Sequence, residues 1–168
     1  CSMGIHVWND KPVGLYGVTQ GPIMAGAQIF EIKITGKGGH AAAPHLSIDP
    51  IVASAQIITA LQTITSRNVP PLESAVVSVC KMEAGTAFNI IPKEAVISGT
   101  IRTFKADVYK VVENRFREIV NNLALGMGCE AQINIKRITY PVDNDQALCE
   151  LMNKIIQQVD PQSKIDSA

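Results

Sequence analysis

The stretch QIFEIKITGKGGHAAAPHLSIDP, residues 28–50, contains the clearest pattern from which the fold of this chain can be predicted. Over Gln28–Thr35, apolar residues alternate with charged or polar ones, which predicts a half-buried β-strand. A glycine-rich loop follows. Asp49 and Pro50 then supply the cap and first turn of a helix, predicted over Asp49–Arg67. The stretch is therefore typical of a strand, loop and helix in succession.

Outward from this stretch, the period of the apolar residues changes between two and about 3.6. A second helical stripe covers residues 108–123 and ends at the glycines of 126–128. The remaining strands are predicted at Ala75–Met82, Ala95–Phe104 and Glu130–Ile138. The order βαββαβ predicts an α+β, ferredoxin-like sandwich, in which a four-stranded antiparallel sheet carries both helices on one face.

The strand Ala95–Phe104 has one polar and one apolar face. Its period of two places Ser98, Thr100 and Arg102 together, so we expect Arg102 to face away from the helices. A short strand-like run before residue 20 and an amphipathic helix within residues 148–159 lie outside the βαββαβ order. This fold does not require them.

The charge of the chain excludes two classes of partner. Among 168 residues, 15 Lys and Arg balance 15 Asp and Glu, and the net charge is zero. Binding to nucleic acid or to an anionic membrane needs clustered positive charge, so we expect neither. No apolar run reaches the roughly 20 residues that span a bilayer. The first residues do not resemble a signal peptide, and we predict a cytoplasmic location.

The cysteines indicate no disulfide framework. Cys1, Cys80, Cys129 and Cys149 are widely spaced, and we predict that all are free thiols. Because Cys80 lies in a strand-like run, a small buried apolar residue is favoured over a nucleophile.

Two of the three histidines, His40 and His45, lie in the glycine-rich loop. A histidine there could donate a hydrogen bond to an oxyanion or bind a metal, and a solvated loop histidine is an equal alternative. The loop also fits a dinucleotide-binding pattern, but Pro44 and Pro50 delay the helix that such a site needs. The motifs of the chain alone establish no complete active site.

Four motifs together resemble one family. They are GIHVW (4–8), ITGKGGHAAAPHLSIDPI (34–51), GTAFNIIP (85–92) and GTIRTF (99–104). In this order they are similar to the M20 metallopeptidases, in the amidohydrolase branch that includes hippurate hydrolase and N-acyl-amino-acid amidohydrolases. The resemblance spans nearly the whole chain.

The resemblance implies a domain organisation. Members of the family have a catalytic domain that binds two divalent metal ions, such as zinc or manganese, and a smaller βαββαβ lid inserted in it. It implies that residues 25–137 are the lid or dimerisation domain. Residues 1–24 and 138–168 would be segments of the catalytic domain. The main metal-binding motif of the family has no counterpart here, so we expect the isolated chain to be inactive and to bind no metal.

The resemblance also implies roles for individual residues. His40 corresponds to the lid histidine that stabilises the oxyanion in the partner subunit's active site. Asn89 corresponds to a residue near the partner's substrate, and Arg102 to one that binds the substrate carboxylate. His6 corresponds to a metal ligand of the catalytic domain. For His45 the family pattern gives no firm role.

The implied function is hydrolysis of the amide bond of N-acyl amino acids by a homodimer. In the homodimer, we expect contacts about a two-fold axis between the same elements of the two copies, namely the predicted helix Asp49–Arg67 and the strand Ala75–Met82. The alternative hypothesis is a stand-alone ferredoxin-like module for ligand binding or regulation. Such a module does not need the GIHVW segment or the last helix, which favours the amidohydrolase.

Overall fold

A computed structural model describes residues 3–166 of the chain. Its helices are α1 (Pro50–Thr63), α2 (Ala106–Gly126) and α3 (Gln146–Val159). In chain order, its strands are β1 (Leu15–Gly17), β2 (Gly21–Met24), β3 (Gly26–Thr35), β4 (Gly39–His40), β5 (Ala75–Ala84), β6 (Ile90–Ile91), β7 (Glu94–Thr103), β8 (Glu130–Thr139), β9 (Val142–Asn144) and β10 (Lys164–Asp166).

The chain divides into two compact units. The first unit combines residues up to Ile23 with residues from Val142 onward. It contains α3 and two small ladders, in which β1 pairs with β10 and β2 with β9. The second unit, Met24–Pro141, carries the large sheet and the other two helices.

The second unit has the predicted ferredoxin-like fold. Its antiparallel sheet has the strand order β5-β7-β3-β8. Helices α1 and α2 cover one face, with α1 packed on β5, β7 and β3 and α2 mainly on β8. Between the layers lies an apolar core that includes Phe30, Ile32, Ile57, Ile97, Ile101, Val112 and Phe116. The prediction of an α+β sandwich is therefore confirmed.

Helix α1 begins as predicted and ends differently. One carboxylate oxygen of Asp49 accepts hydrogen bonds from the backbone N–H groups of Ile51 and Val52, at 2.8 and 3.4 Å. At the other end, residues Ile64–Asn68 form a π-helical turn. There the hydroxyls of Thr65 and Ser66 both donate to the carbonyl of Gln62 and compete with the backbone ladder.

The prediction that Cys80 is buried is wrong. A bulge in β5 between Val79 and Lys81 shifts the register against β7 and leaves Cys80 exposed. Cys129 and Cys149 are buried free thiols, and Cys1 lies outside the described residues. In the part of the chain that the structure describes, no helix is long and apolar enough to cross a membrane.

Candidate functional site

The loops that follow β3 and precede β7 pair with each other. Gly36 N–H donates to the carbonyl of Lys93 at 2.9 Å, and β4 pairs with β6, so that His40 lies opposite Ile90. Ala41 N–H donates to the carbonyl of Asn89 at 3.0 Å. We call these two loops, residues 36–48 and 85–93, the loop tip.

A close backbone approach explains the glycine at the start of the loop tip. A Cβ atom on Gly36 would lie 2.2 Å from the carbonyl oxygen of Ile48, which no side chain tolerates. Two hydrogen bonds of 2.9 Å between Lys37 and Ile48 close the loop at this point. The glycine is therefore needed to bring the returning chain back against the end of β3.

His40 is presented as a hydrogen-bond donor. Its side chain is exposed, and its Nδ1 accepts a hydrogen bond of 3.1 Å from Ala42 N–H. In the neutral imidazole, this bond assigns the lone pair to Nδ1 and the proton to Nε2. Nε2–H is left to face a ligand.

Asn89 is adjacent to His40 because of the pairing in the loop tip. The Asn89 side chain is exposed, and its backbone carbonyl binds the residue that follows His40. The sequence pattern named both residues but did not predict the β4–β6 ladder that joins them. His45 is exposed in a short 3₁₀ turn, Pro44–Leu46, within the same loop tip.

Arg102 faces away from the helices, as predicted. Ile101 and Thr103 on either side of it are buried, and Arg102 itself is half-buried. Its guanidinium donates to the Thr100 hydroxyl and, at 3.3 Å, to the carbonyl of Ile101. Among residues 3–166, the ion pairs include no carboxylate bound to Arg102.

A cavity of about 540 Å³ opens beside Arg102. Glu73, Ser74 and Phe104 are among its lining residues. Glu73 is bound to Lys105 at 2.7 Å, and this contact raises the pKa of Lys105 above its ordinary value. Arg102 is thus a cation without a bound carboxylate beside a partly apolar cavity, an arrangement suited to an organic anion.

The structure does not bring Arg102 together with His40. Glu94 and Arg102 are at opposite ends of β7, which separates them by about 26 Å at the rise of an extended strand. His40 lies beyond the Glu94 end, in the loop tip. The sheet therefore carries two separate groups of candidate residues, one at each end.

His6 belongs to the other compact unit. It is exposed, its Nδ1 lies 2.7 Å from the carbonyl of Val7, and its ring stacks on Trp8 with 4.8 Å between centroids. Within residues 3–166, no three His, Cys, Asp or Glu side chains lie close enough together to hold a metal ion. The described residues therefore do not by themselves fit a two-metal centre.

A network that the sequence did not predict links α2 to the end of β8. The guanidinium of Arg137 lies between the rings of Tyr109 and Tyr140, at 4.9 and 4.7 Å from their centroids. Glu113 accepts two hydrogen bonds from Arg117, at 2.8 and 3.1 Å. Burial raises the pKa of Glu113, but the hydrogen bonds from Arg117 and Tyr109 outweigh burial and hold this pKa below its ordinary value.

Comparison with known proteins agrees with the fold and the motifs. Residues 25–128 match the family described as the peptidase dimerisation domain of M20 proteins. The chain is 44% identical over 142 residues to an N-acetylcysteine deacetylase of Bacillus subtilis. This alignment covers 84% of this chain and 37% of that protein. It is 38% identical to an N-acetyldiaminopimelate deacetylase of Geobacillus, covering 92% of this chain and 40% of that protein.

A solved structure gives the same result. The YXEP protein of Bacillus subtilis, described as a dinuclear metal-binding peptidase of the M20 family, superposes with a TM-score of 0.76 and 32% identity. The match covers 97% of this chain and 39% of that one, so the chain spans about two fifths of the length of these relatives. The chain belongs to the M20 peptidase family and contains its dimerisation domain.

Proposed function

We propose that residues 25–137 are the lid and dimerisation domain of a metal-dependent amidohydrolase that cleaves the amide bond of N-acyl amino acids. Residues 1–24 and 138–168 would then be segments of its catalytic domain. The names of the deacetylases similar to this chain support an N-acyl amino acid as the substrate. The observation that carries the proposal is the hydrogen bond from Ala42 N–H to Nδ1 of the exposed His40, which leaves Nε2 as the donor beside Asn89 in the loop tip.

The chemistry assigned to His40 follows from the hydrogen bond at its Nδ1. When a nucleophile attacks an amide carbonyl, negative charge develops on the carbonyl oxygen. A neutral imidazole with its proton on Nε2 can donate to this oxygen, and the bond strengthens as the charge grows. Because His40 is exposed in a single copy, the donor becomes effective only when another protein surface covers the loop tip and excludes water.

Self-association is implied by the family, and the surface of the second unit supports a particular interface. Helix α1 contains no charged residue, and its exposed positions include Val52, Ala55, Gln56 and Thr59. It packs beside β5, an edge strand of the sheet. We infer that α1 and β5 contact the same elements of a second copy about a two-fold axis. The cores of interfaces are depleted of charged residues, as α1 is, and the open edge of β5 can pair with another strand.

The opposite side of the sandwich is less suited to this role. The exposed face of α2 carries the ion pairs Arg115–Glu118 and Arg117–Glu113. The other edge strand, β8, carries exposed Lys136 and Arg137. Strand β5 also carries exposed charges, but its Lys81 and Glu83 form an ion pair of 2.8 Å, whereas Lys136 and Arg137 are both positive and would repel like charges on a second copy.

The separation of the two residue groups implies a composite active site. The two groups lie at opposite ends of β7, and these ends are about 26 Å apart. One small substrate therefore cannot contact both groups of one copy. We infer that each active site takes His40 and Asn89 from one copy and Arg102 from the other. Arg102 would bind the substrate carboxylate, for which a guanidinium offers two parallel donors.

The metal centre of the complete enzyme is proposed from the family and from the dinuclear relative. Two divalent ions, zinc, manganese or similar, would polarise the amide and activate water there. The family pattern assigns only His6 of this chain to such a site, and the described residues contain no group of three possible ligands, so we infer that other parts of the enzyme supply the rest. The roles of His40, Asn89 and Arg102 do not depend on which metal is bound.

The test of the proposal is the substitution His40→Ala in the complete enzyme. Loss of one donor to an oxyanion lowers kcat by about 10²- to 10³-fold, and we expect a loss of this order. The bound metal, measured by atomic emission, should stay at the wild-type amount, because His40 is not a ligand. The matched control is His45→Ala, from the same exposed loop, for which we expect an activity close to that of the wild type. An unchanged kcat in His40→Ala would remove this residue from the mechanism.

A further inference from the structure

The loop tip exposes an unusual amount of apolar side chain around His40. Phe88 is 100% exposed, Leu46 is 63% exposed and Ile90 is 56% exposed. Removing a large apolar side chain from water is worth about 2 kcal/mol, so each of these side chains offers a favourable contact to an apolar group. None of these side chains takes part in the core of the sandwich.

The stretches that hold these side chains contain no charged residue, and the charged residues of the loop tip, Lys37 and Lys93, lie where its loops join the strands. No Asp, Glu, Lys or Arg occurs between Gly38 and Ile48, or between Ala84 and Pro92. The polar groups offered there include the imidazole of His40 and the amide of Asn89. A group with one carbonyl oxygen and an apolar body fits these stretches, because the oxygen can accept from His40 while the apolar body leaves water.

The positions of Phe88 and Ile90 relative to His40 indicate which part of the substrate contacts the loop tip. Ile90 pairs directly with His40 in the ladder, and Phe88 is two residues from Ile90. Paired Cα atoms in such a ladder are about 5 Å apart, so the segment that carries Phe88, Asn89 and Ile90 runs beside His40. The carboxylate end of the substrate is assigned to Arg102 of the other copy, which leaves the acyl group for the loop tip.

We infer that Phe88 is a specificity-determining residue that packs on the acyl group of the substrate. Together with Leu46 and Ile90, it selects large, apolar acyl groups, such as aromatic ones, over acetyl. This inference rests on the proposed function, since it assumes that His40 binds the carbonyl oxygen of an N-acyl amino acid.

The test compares two substrates that differ only in the acyl group, the N-benzoyl and N-acetyl derivatives of one amino acid. In the complete enzyme, we expect Phe88→Ala to lower the ratio of kcat/KM for benzoyl over acetyl about tenfold, the size of a lost aromatic contact. Phe88→Tyr should keep most of the ratio. The control is Leu72→Ala, because Leu72 is 99% exposed and lies in the loop before β5.

The outcomes separate this inference from the proposed function. A ratio for Phe88→Ala within about twofold of the wild type would overturn the inference. So would an equal loss of kcat/KM for both substrates, since this would make Phe88 a contact between proteins. If the wild-type enzyme hydrolyses neither substrate, the proposed function itself fails. Phe88→Ala should not change the unfolding midpoint of the chain, because its ring is fully exposed in the folded domain.

Discussion

Ala41 N–H donates a hydrogen bond of 3.0 Å to the carbonyl oxygen of Asn89. This bond joins two loops that are distant in sequence and makes His40 and Asn89 neighbours at one end of the sheet. Arg102 lies at the other end of the strand that follows the second loop. Within one copy, the three residues therefore form two groups, and we propose that a second copy completes a site for one substrate.

The first prediction concerns self-association of the chain itself. Sedimentation equilibrium should show a dimer, and Gln56→Lys on the uncharged face of α1 should raise its Kd at least about tenfold, because the substitution brings like charges toward a two-fold axis. The matched control is Asn122→Lys, on the exposed face of α2, which should leave Kd unchanged. A wild-type chain that remains monomeric at high concentration would contradict the proposed interface.

The second prediction concerns Arg102 in the complete enzyme. Arg102→Lys keeps the charge but loses the two parallel donors, so KM should rise about tenfold or more while kcat changes less. The carboxamide analogue of the same substrate serves as the control, because wild type and variant should handle it nearly equally. A similar loss of kcat/KM on both substrates would show that Arg102 does not bind the carboxylate.

The third prediction concerns the pH dependence of stability. The pKa of Glu113 is lowered in the folded chain, so its ion pair stabilises the fold above the ordinary value of 4.5, and this stabilisation is lost as the pH falls through the lower, folded value. Because the pair is substantially exposed, Glu113→Gln should reduce the free energy of unfolding by only about 0.5 kcal/mol at neutral pH.

Denaturant unfolding at several pH values provides the measurement for Glu113. The difference between wild type and Glu113→Gln should shrink as the pH falls below 4.5 and vanish once the pH is below the lowered pKa of the folded state, where the carboxylate is protonated in both states. The same experiment with Arg117→Gln should give a matching profile. A difference that stays constant with pH would mean that lost packing, rather than lost charge, destabilises the variant.

The sequence predicted the sandwich well because its periodic segments are long. The alternation in β3 and the Asp49 cap of α1 are local features, and both occur where the pattern places them. The face of Arg102 followed from the period of two in β7. These features depend on neighbours along the chain, so one sequence is enough to indicate them.

Features that depend on contacts between distant segments could not be read from the sequence. The two-residue strands β4 and β6 are too short to show a period, although they join His40 to Asn89. The bulge that exposes Cys80 arises from the pairing of β5 with β7. The separation of His40 from Arg102 likewise requires the register of the whole sheet.

The composite active site is the central claim, and mixing two inactive variants of the complete enzyme tests it most directly. After subunit exchange between His40→Ala and Arg102→Ala, half of the dimers are mixed, and each mixed dimer has one site with both residues intact. Activity should therefore recover to about one quarter of the wild-type value. Mixing His40→Ala with Asn89→Ala is the control, with no recovery expected, because these two residues serve the same site. If the mixture of His40→Ala and Arg102→Ala remains as inactive as either variant alone, His40 and Arg102 do not come from different copies, and the composite active site is ruled out.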